Sequence, residues 1–151
     1  REWLLFLHAD TVLDAGWADS VYDFMTNDEN RRRAGYFRFA LDDDGVAPRL
    51  LEHAVTLRCR WLGLPYGDQG LLISREFYNS LGGYPALSLM EDVALVRRIG
   101  RRRLAPVVGR ATTSAVRYQR DGYVLRPLRN LLCLSLYFLG APQRLLRRLY
   151  A

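Results

Sequence analysis

Lysine is missing from this chain. All 22 of its basic residues are arginine, against 16 acidic ones, so the formal charge is +6. Guanidinium offers a planar fork of donors rather than a point charge, which suits phosphates, carboxylates and lipid headgroups. An arginine-favouring coding composition accounts for the same bias equally well. Cysteine is scarce: Cys59 and Cys133 are far apart, and neither belongs to a CxxC pair. That excludes a disulfide framework and argues against structural zinc, leaving buried free thiols in a reducing compartment as the expectation. Long hydrophobic runs are absent too. The strongest, Leu131 to Leu139, falls well short of the roughly 20 residues a spanning helix needs. No repeat, low-complexity segment, secretory signal or domain boundary is read.

What is present describes an ordinary folded domain. Half of the 151 residues are hydrophobic and a quarter are charged, which excludes disorder. The chain opens without Met and enters a strand pattern at once, so Arg1 reads as the middle of something longer. Leu4 to Leu7 is a continuous apolar run, the pattern of a strand buried on both faces. Trp17, Val21, Phe24 and Met25 recur at helical spacing within Ala15 to Met25, with Asp14 as the expected N-cap. Tyr36 to Leu41 reads as a strand closed by the turn Asp42-Asp43-Asp44-Gly45. Leu50, Ala54, Leu57 and Trp61 share one face of a helix, with Leu51, Val55 and Leu62 beside them.

Gly63 to Gly70 reads as a loop, Leu71 to Ile73 as a short buried strand, and Arg75 to Leu81 as a helix stopped by Gly82-Gly83. Glu91 to Ile99 is a further helix, followed by strands near Pro106 to Val108 and Ala111 to Val116. Helices over Tyr123 to Gly140 and Pro142 to Tyr150 close the chain. Arg126, Arg129, Arg144, Arg147 and Arg148 surround the last apolar stretch. They fit either an interfacial helix on anionic lipid or, the favoured reading, a core-covering helix with an arginine-rich outer side. The fold class is mixed α/β.

Four constellations carry groups capable of chemistry. His8-Ala9-Asp10-Thr11 ends the first strand with a carboxylate that can ligate a hard divalent cation, or simply cap the next segment. Tyr66-Gly67-Asp68-Gln69-Gly70 combines permissive backbone with hydrogen-bonding side chains, or is a plain Asx-type turn. Met90-Glu91-Asp92 puts two carboxylates at a helix start, where acidic residues are common and where one can also serve as general base. Thr113 to Tyr118, with Arg120, is a polar, cationic strand exit able to meet phosphate.

Taken in chain order, HADT, PYGDQG, GGYP and MEDVALVRRI resemble a family 2 glycosyltransferase of the GT-A fold. TSAVRYQRDG and LYFLGAPQRLLRRLY resemble one bacterial branch of it, described as associated with radical-SAM or selenium-related genes. The resemblance runs over nearly all of the chain. It implies a single domain over 1–151, with sheet and catalytic core over 1–120 and C-terminal helices over 121–151. On that reading the chain is the C-terminal portion of a GT-A fold, a mixed sheet flanked by helices, without the earlier strand-helix units that bind base and ribose.

The resemblance also assigns roles. Asp10, in place of the DxD motif, would hold Mg²⁺ or Mn²⁺ against the diphosphate of a nucleotide sugar, with His8 and Arg117 on the donor side. Asp92 would take the proton from the acceptor hydroxyl, and Glu91 would support it or orient the acceptor. Gly67, Asp68 and Gln69 would line the acceptor side. The implied activity is metal-dependent, inverting transfer of a single sugar. The QxxRW motif of processive members is absent, Arg58-Cys59-Arg60-Trp61 being no match. The acceptor, lipid or saccharide, is left open, as are a homodimer and a peripheral contact with the inner membrane face of a cytoplasmic protein. No nucleic-acid partner is expected. Two other readings stand beside this one: an arginine-rich membrane- or nucleic-acid-binding module, and a nucleotidyltransferase of the same fold.

Overall fold

The computed structural model describes residues 2–150. Five strands form one curled mixed sheet: β1 (Trp3–Phe6), β2 (Thr11–Leu13), β3 (Ala34–Leu41), β4 (Leu71–Ser74) and β5 (Leu104–Thr113). Their spatial order is β1-β4-β3-β5-β2. Only β3 and β5 run parallel; the other three pairs are antiparallel. Seven helices accompany them: α1 (Trp17–Thr26), α2 (Val46–Leu62), α3 (Arg75–Ser80), α4 (Glu91–Ile99), α5 (Val116–Asp121), α6 (Leu125–Phe138) and α7 (Gln143–Tyr150).

Side chains alternate across the sheet as a period of two requires. Leu71 and Ile73 of β4 pack with Phe77, Leu95 and Ile99 of α3 and α4, while Leu72 faces Phe24 of α1. The neighbouring β1 repeats the pattern, Leu4 and Phe6 to one side, Trp3 and Leu5 to the other. At the far end of β3, Phe39 and Leu41 meet Val55 and Cys59 of α2. Val93, Leu95, Val96 and Ile99 of α4 are all buried, each contributing about 1.5–3 kcal/mol by leaving water. That burial fixes the helix whose first turn carries Asp92.

Several expectations need correction. The first strand is half-buried rather than fully buried on both faces: β1 is an edge strand that pairs, among the described residues, with β4 alone, and Leu7 lies beyond it and is exposed. Asp14 does not cap α1; the helix starts at Trp17 with Gly16 as N-cap, and Asp14 Oδ1 is buried without a partner. The two strands expected around Gly109 are one, because the irregular register opposite Tyr36 and Arg38 takes up the glycine, at φ 117°, inside β5. Val116, expected in a strand, begins α5.

The stripe Leu50, Ala54, Leu57 and Trp61 faces outward. The buried side of α2 is Pro48, Glu52, Val55 and Cys59. Glu52 is inside because its Oε1 accepts the Leu41 N–H at 2.9 Å and Arg49 Nη1 at 2.7 Å, tying α2 to the end of β3. Arg126 is buried as well, rather than on an outer face. Its Nη1 donates to Asp121 Oδ2 at 2.7 Å, and its guanidinium lies over Tyr118.

Candidate functional site

The loops at one end of the sheet converge on a cleft of about 700 Å³. His8, Asp10, Gly67, Asp68, Asp92 and Arg117 all line it, although they come from four separate stretches of the chain. A cavity of this size holding convergent charged groups is the ordinary form of a small-molecule site, which spans about 300–1,000 Å³.

Asp10 sits in the turn between β1 and β2. The turn is closed by the Thr11 N–H donating to the His8 carbonyl at 3.1 Å, and the Ser114 N–H donates to the Asp10 carbonyl at 3.3 Å. Thr11 and Thr113 share a hydroxyl hydrogen bond of 2.7 Å that locks β2 to β5 beside it. His8 Nδ1 lies 3.3 Å from Asp10 Oδ1, and both side chains are open to the cleft. The second oxygen of Asp10 has no hydrogen bond among the described residues.

Asp92 is the second residue of α4. Met90, its N-cap, has φ 64°, the one left-handed non-glycine residue among those described. Such a conformation costs of order 1–2 kcal/mol and persists only where packing enforces it; Met90 is buried against Val93 and Leu134. Asp92 Oδ1 accepts the Val93 N–H at 2.7 Å, and Oδ2 accepts the Gly67 N–H at 2.8 Å. Gly67 is wedged between two site residues. A Cβ there would lie 3.3 Å from His8 Cδ2 and 3.6 Å from Asp92 Oδ2. The absent side chain therefore lets the histidine and the carboxylate approach each other.

Asp68 occupies the short turn Gly67–Gln69 between them. Burial pushes its carboxyl up to about 6, opposed by Arg58 and reinforced by Asp92. Its Oδ1 has no hydrogen-bond partner. Charge repulsion with both Asp92 and Asp10 raises it, and His8 lowers it, so the four groups lie within electrostatic reach of one another. The Tyr84 phenol is held well above its usual range by burial, with Asp92 next in effect.

Two expected site residues lie elsewhere. Glu91 does not line the cleft. Gln69 is buried with its amide fully engaged: Nε2 donates to the Phe37 carbonyl at 3.0 Å, and Oε1 accepts from Cys59 Sγ and Arg58 Nη2. Its role here is to hold the turn that presents Gly67 and Asp68.

Residues that the sequence reading did not single out complete the walls. The Arg58 guanidinium stacks 3.5 Å from the centroid of Tyr66, and its Nε donates to the Leu64 carbonyl. Asn130 and Tyr150 join from α6 and α7, beside Tyr118 of the expected Thr113 to Tyr118 constellation, which lies on α5. The signal for Arg58 lay in the helix phase of α2: once Leu57 and Trp61 face out, Arg58 follows them to the cleft.

Among the described residues no group of three or more His, Cys, Asp or Glu side chains is arranged to hold a metal ion. Asp10 supplies a solvent-accessible carboxylate oxygen without a hydrogen bond, whereas the unpartnered oxygen of Asp68 is buried. A hard cation bound by one chain carboxylate takes its other ligands from water and from substrate phosphates, which is how Mg²⁺ is commonly held. The donor set fits that mode and not an all-protein cage. No helix among the described residues is long and apolar enough to cross a membrane. No protein-family model, curated protein or solved structure matches this chain.

Proposed function

We propose that the cleft transfers a single sugar from a nucleotide-diphosphate donor to an acceptor hydroxyl, with inversion at the anomeric carbon and with Mg²⁺ or Mn²⁺ required. One observation carries the reading: Asp10 and Asp92, distant in the chain, open into the same cavity with Asp68 and His8 between them. A binding module has no need to gather three carboxylates in a cleft on a basic protein.

Each residue then has a physical task. Asp92 keeps lone pairs free after accepting its two backbone N–H groups, enough to accept the proton of an attacking hydroxyl. Those two N–H groups fix its rotamer, so the base is oriented before the acceptor arrives. Asp10 would hold the cation, which neutralises the charge that builds on the departing diphosphate. Arg117 adds a guanidinium to the lining of the cleft. Asp68, half-buried near Asp92 with one oxygen sealed from water, makes the pocket sensitive to proton occupancy near pH 6. The resemblance to family 2 glycosyltransferases supports the same assignment.

The test uses the full protein with a panel of nucleotide sugars. Transfer is expected to require added Mg²⁺ or Mn²⁺, to vanish with a chelator, to fall at least 100-fold in Asp10→Ala, and to give a product of inverted anomeric configuration. Metal-independent turnover, or a retained configuration, overturns the reading. Consumption of nucleoside triphosphate instead would move the site to nucleotidyl transfer.

A further inference from the structure

Charge is divided sharply along the chain. Up to Asp92 there are 9 arginines and 15 carboxylates; from Val93 onward there are 13 arginines and one carboxylate, Asp121. The first part carries a formal −6 and the second +12. Such asymmetry points to a polyanionic partner. Its densest portion is Arg97-Arg98-Ile99-Gly100-Arg101-Arg102-Arg103, five arginines in seven residues, none of which has a task in the proposed transfer.

The fold gathers this segment at the end of α4 remote from Asp92, about 10 Å along the helix axis. The C-terminal ends of α2, α3 and α6 arrive at the same place. Arg101 packs against Gly63, the C-cap of α2, so closely that a Cβ on the glycine would lie 2.7 Å from Arg101 Cβ. Arg98 Nη1 donates to the carbonyl of Leu81, the C-cap of α3, at 2.6 Å. The Arg97 guanidinium lies 4.9 Å from the ring centroid of Phe138, the last residue of α6. Arg60, in the last turn of α2, adds a sixth cation, and all six are exposed. Cations at helix C-termini are favourable in themselves, but that accounts for little here, since Arg98 alone among the six bonds to a terminal carbonyl. None of the six forms an ion pair among the described residues. Exposed apolar side chains stand beside them: Phe138 under Arg97, Leu139 next to it at 82% exposure, and Leu62 next to Gly63.

We infer that this end of the molecule is a docking surface for an anionic lipid bilayer. The guanidinium groups meet the headgroup phosphates, and Phe138, Leu139 and Leu62 enter the interface between them. Unpaired arginine on one face supplies the charge complementarity, and the apolar neighbours choose among polyanions. A nucleic-acid duplex would match the charge and leave those side chains in water, whereas a bilayer takes both. The inference does not rest on the transfer reading, because the surface lies away from Asp10, Asp68 and Asp92 and its test needs no turnover.

The full protein is sedimented with vesicles of phosphatidylglycerol and phosphatidylcholine in equal parts. Binding is expected to weaken as salt rises and to be at least about 10-fold weaker on phosphatidylcholine alone. The double variant Arg101→Gln, Arg102→Gln should lose about fivefold per charge, roughly 25-fold in all, with unchanged circular dichroism. Arg38→Gln with Arg110→Gln removes the same charge from an exposed cross-strand pair, Arg110 lying about 20 Å along β5 from Leu104, and should bind within about twofold of wild type. Leu139→Ser should weaken vesicle binding about threefold or more and leave its salt dependence unaltered. Equal binding to the two vesicle types, or none to either, overturns the inference without recourse to any variant. Equal losses in the two double variants overturn it too, since net charge and not this surface would then govern binding. Tighter binding to duplex DNA than to vesicles, with Leu139→Ser affecting neither, makes the partner a nucleic acid and also overturns it. Vesicle binding as described with no transfer from any donor leaves the surface standing and counts against the transfer reading alone.

Discussion

Asp68→Asn should stabilise the protein at neutral pH, and by an amount that depends on pH. The Asp68 carboxyl has one oxygen sealed from water without a partner, and it shares its surroundings with Asp92 and Asp10. Burial lifts it from 3.8 to about 6. In the unfolded chain the group ionises near its ordinary value, so between about pH 4 and pH 6 the folded state binds the extra proton. Stability then falls as pH rises through that window and levels off above it. The interval corresponds to about 3 kcal/mol between the two protonation states, an upper figure because water reaches part of the residue. The asparagine variant lacks this term.

Urea unfolding of both proteins, followed by circular dichroism from pH 4 to pH 8, isolates the effect as a difference. Asp43 and Asp121, whose carboxyls lie below their usual range, contribute stability that is lost on acidification, and they contribute it equally to both proteins. The variant's advantage should be near zero at pH 4 and about 1–3 kcal/mol above pH 6.5. Parallel stability curves would refute the argument, since they would mean that the Asp68 carboxylate is solvated in the folded state.

Three further substitutions probe the scaffold of the site. Gly67→Ala places a methyl 3.3 Å from His8 Cδ2, so transfer should fall about 10-fold or more through misplacement of the histidine and Asp92, with the thermal midpoint little changed. Glu52→Ala leaves the buried Leu41 N–H without its acceptor and should cost about 1–3 kcal/mol in denaturant unfolding; Glu52→Gln, which keeps an acceptor, should cost less. Gly83→Ala should destabilise by more than about 1 kcal/mol in the same assay, because φ is +64° and the new Cβ lies 2.9 Å from the Tyr78 ring, whose hydroxyl accepts the Tyr84 N–H.

The sequence made the elements visible better than their faces. Apolar runs located β3 and β4, and the glycine pair at 82–83 located the end of α3, because these features follow from local backbone chemistry. The α2 helix shows the limit. Both of its long faces carry apolar residues, and periodicity alone cannot say which turns inward. The decision rests with Glu52, a charged residue drawn into the core by the otherwise unpaired Leu41 N–H at the end of β3. Arg126 was likewise misplaced on an outer face, because its partner Asp121 belongs to a helix that read as a strand exit. Gly109 looked like a break and is an irregularity within β5, a distinction that depends on the parallel pairing with β3.

The polar end of the site was more legible than the walls around it. His8, Asp10, Gly67, Asp68, Asp92 and Arg117 were all flagged by residue type at turns and element ends, and all line the cleft. Leu57, Trp61, Leu131 and Leu134 also line the cleft, which periodicity did not reveal for the same reason that it did not fix the face of α2.

The central claim is that Asp92 acts as the base in a cleft that also holds the donor. Its most direct measurement is a paired one on the full protein: affinity for the nucleotide sugar and rate of transfer, in wild type and in Asp92→Asn. An amide retains an oxygen for one of the two backbone N–H groups and cannot take a proton. Donor affinity is therefore expected to stay within about threefold, while transfer falls by about 10²–10⁴. Transfer at the wild-type rate in the variant would contradict the account.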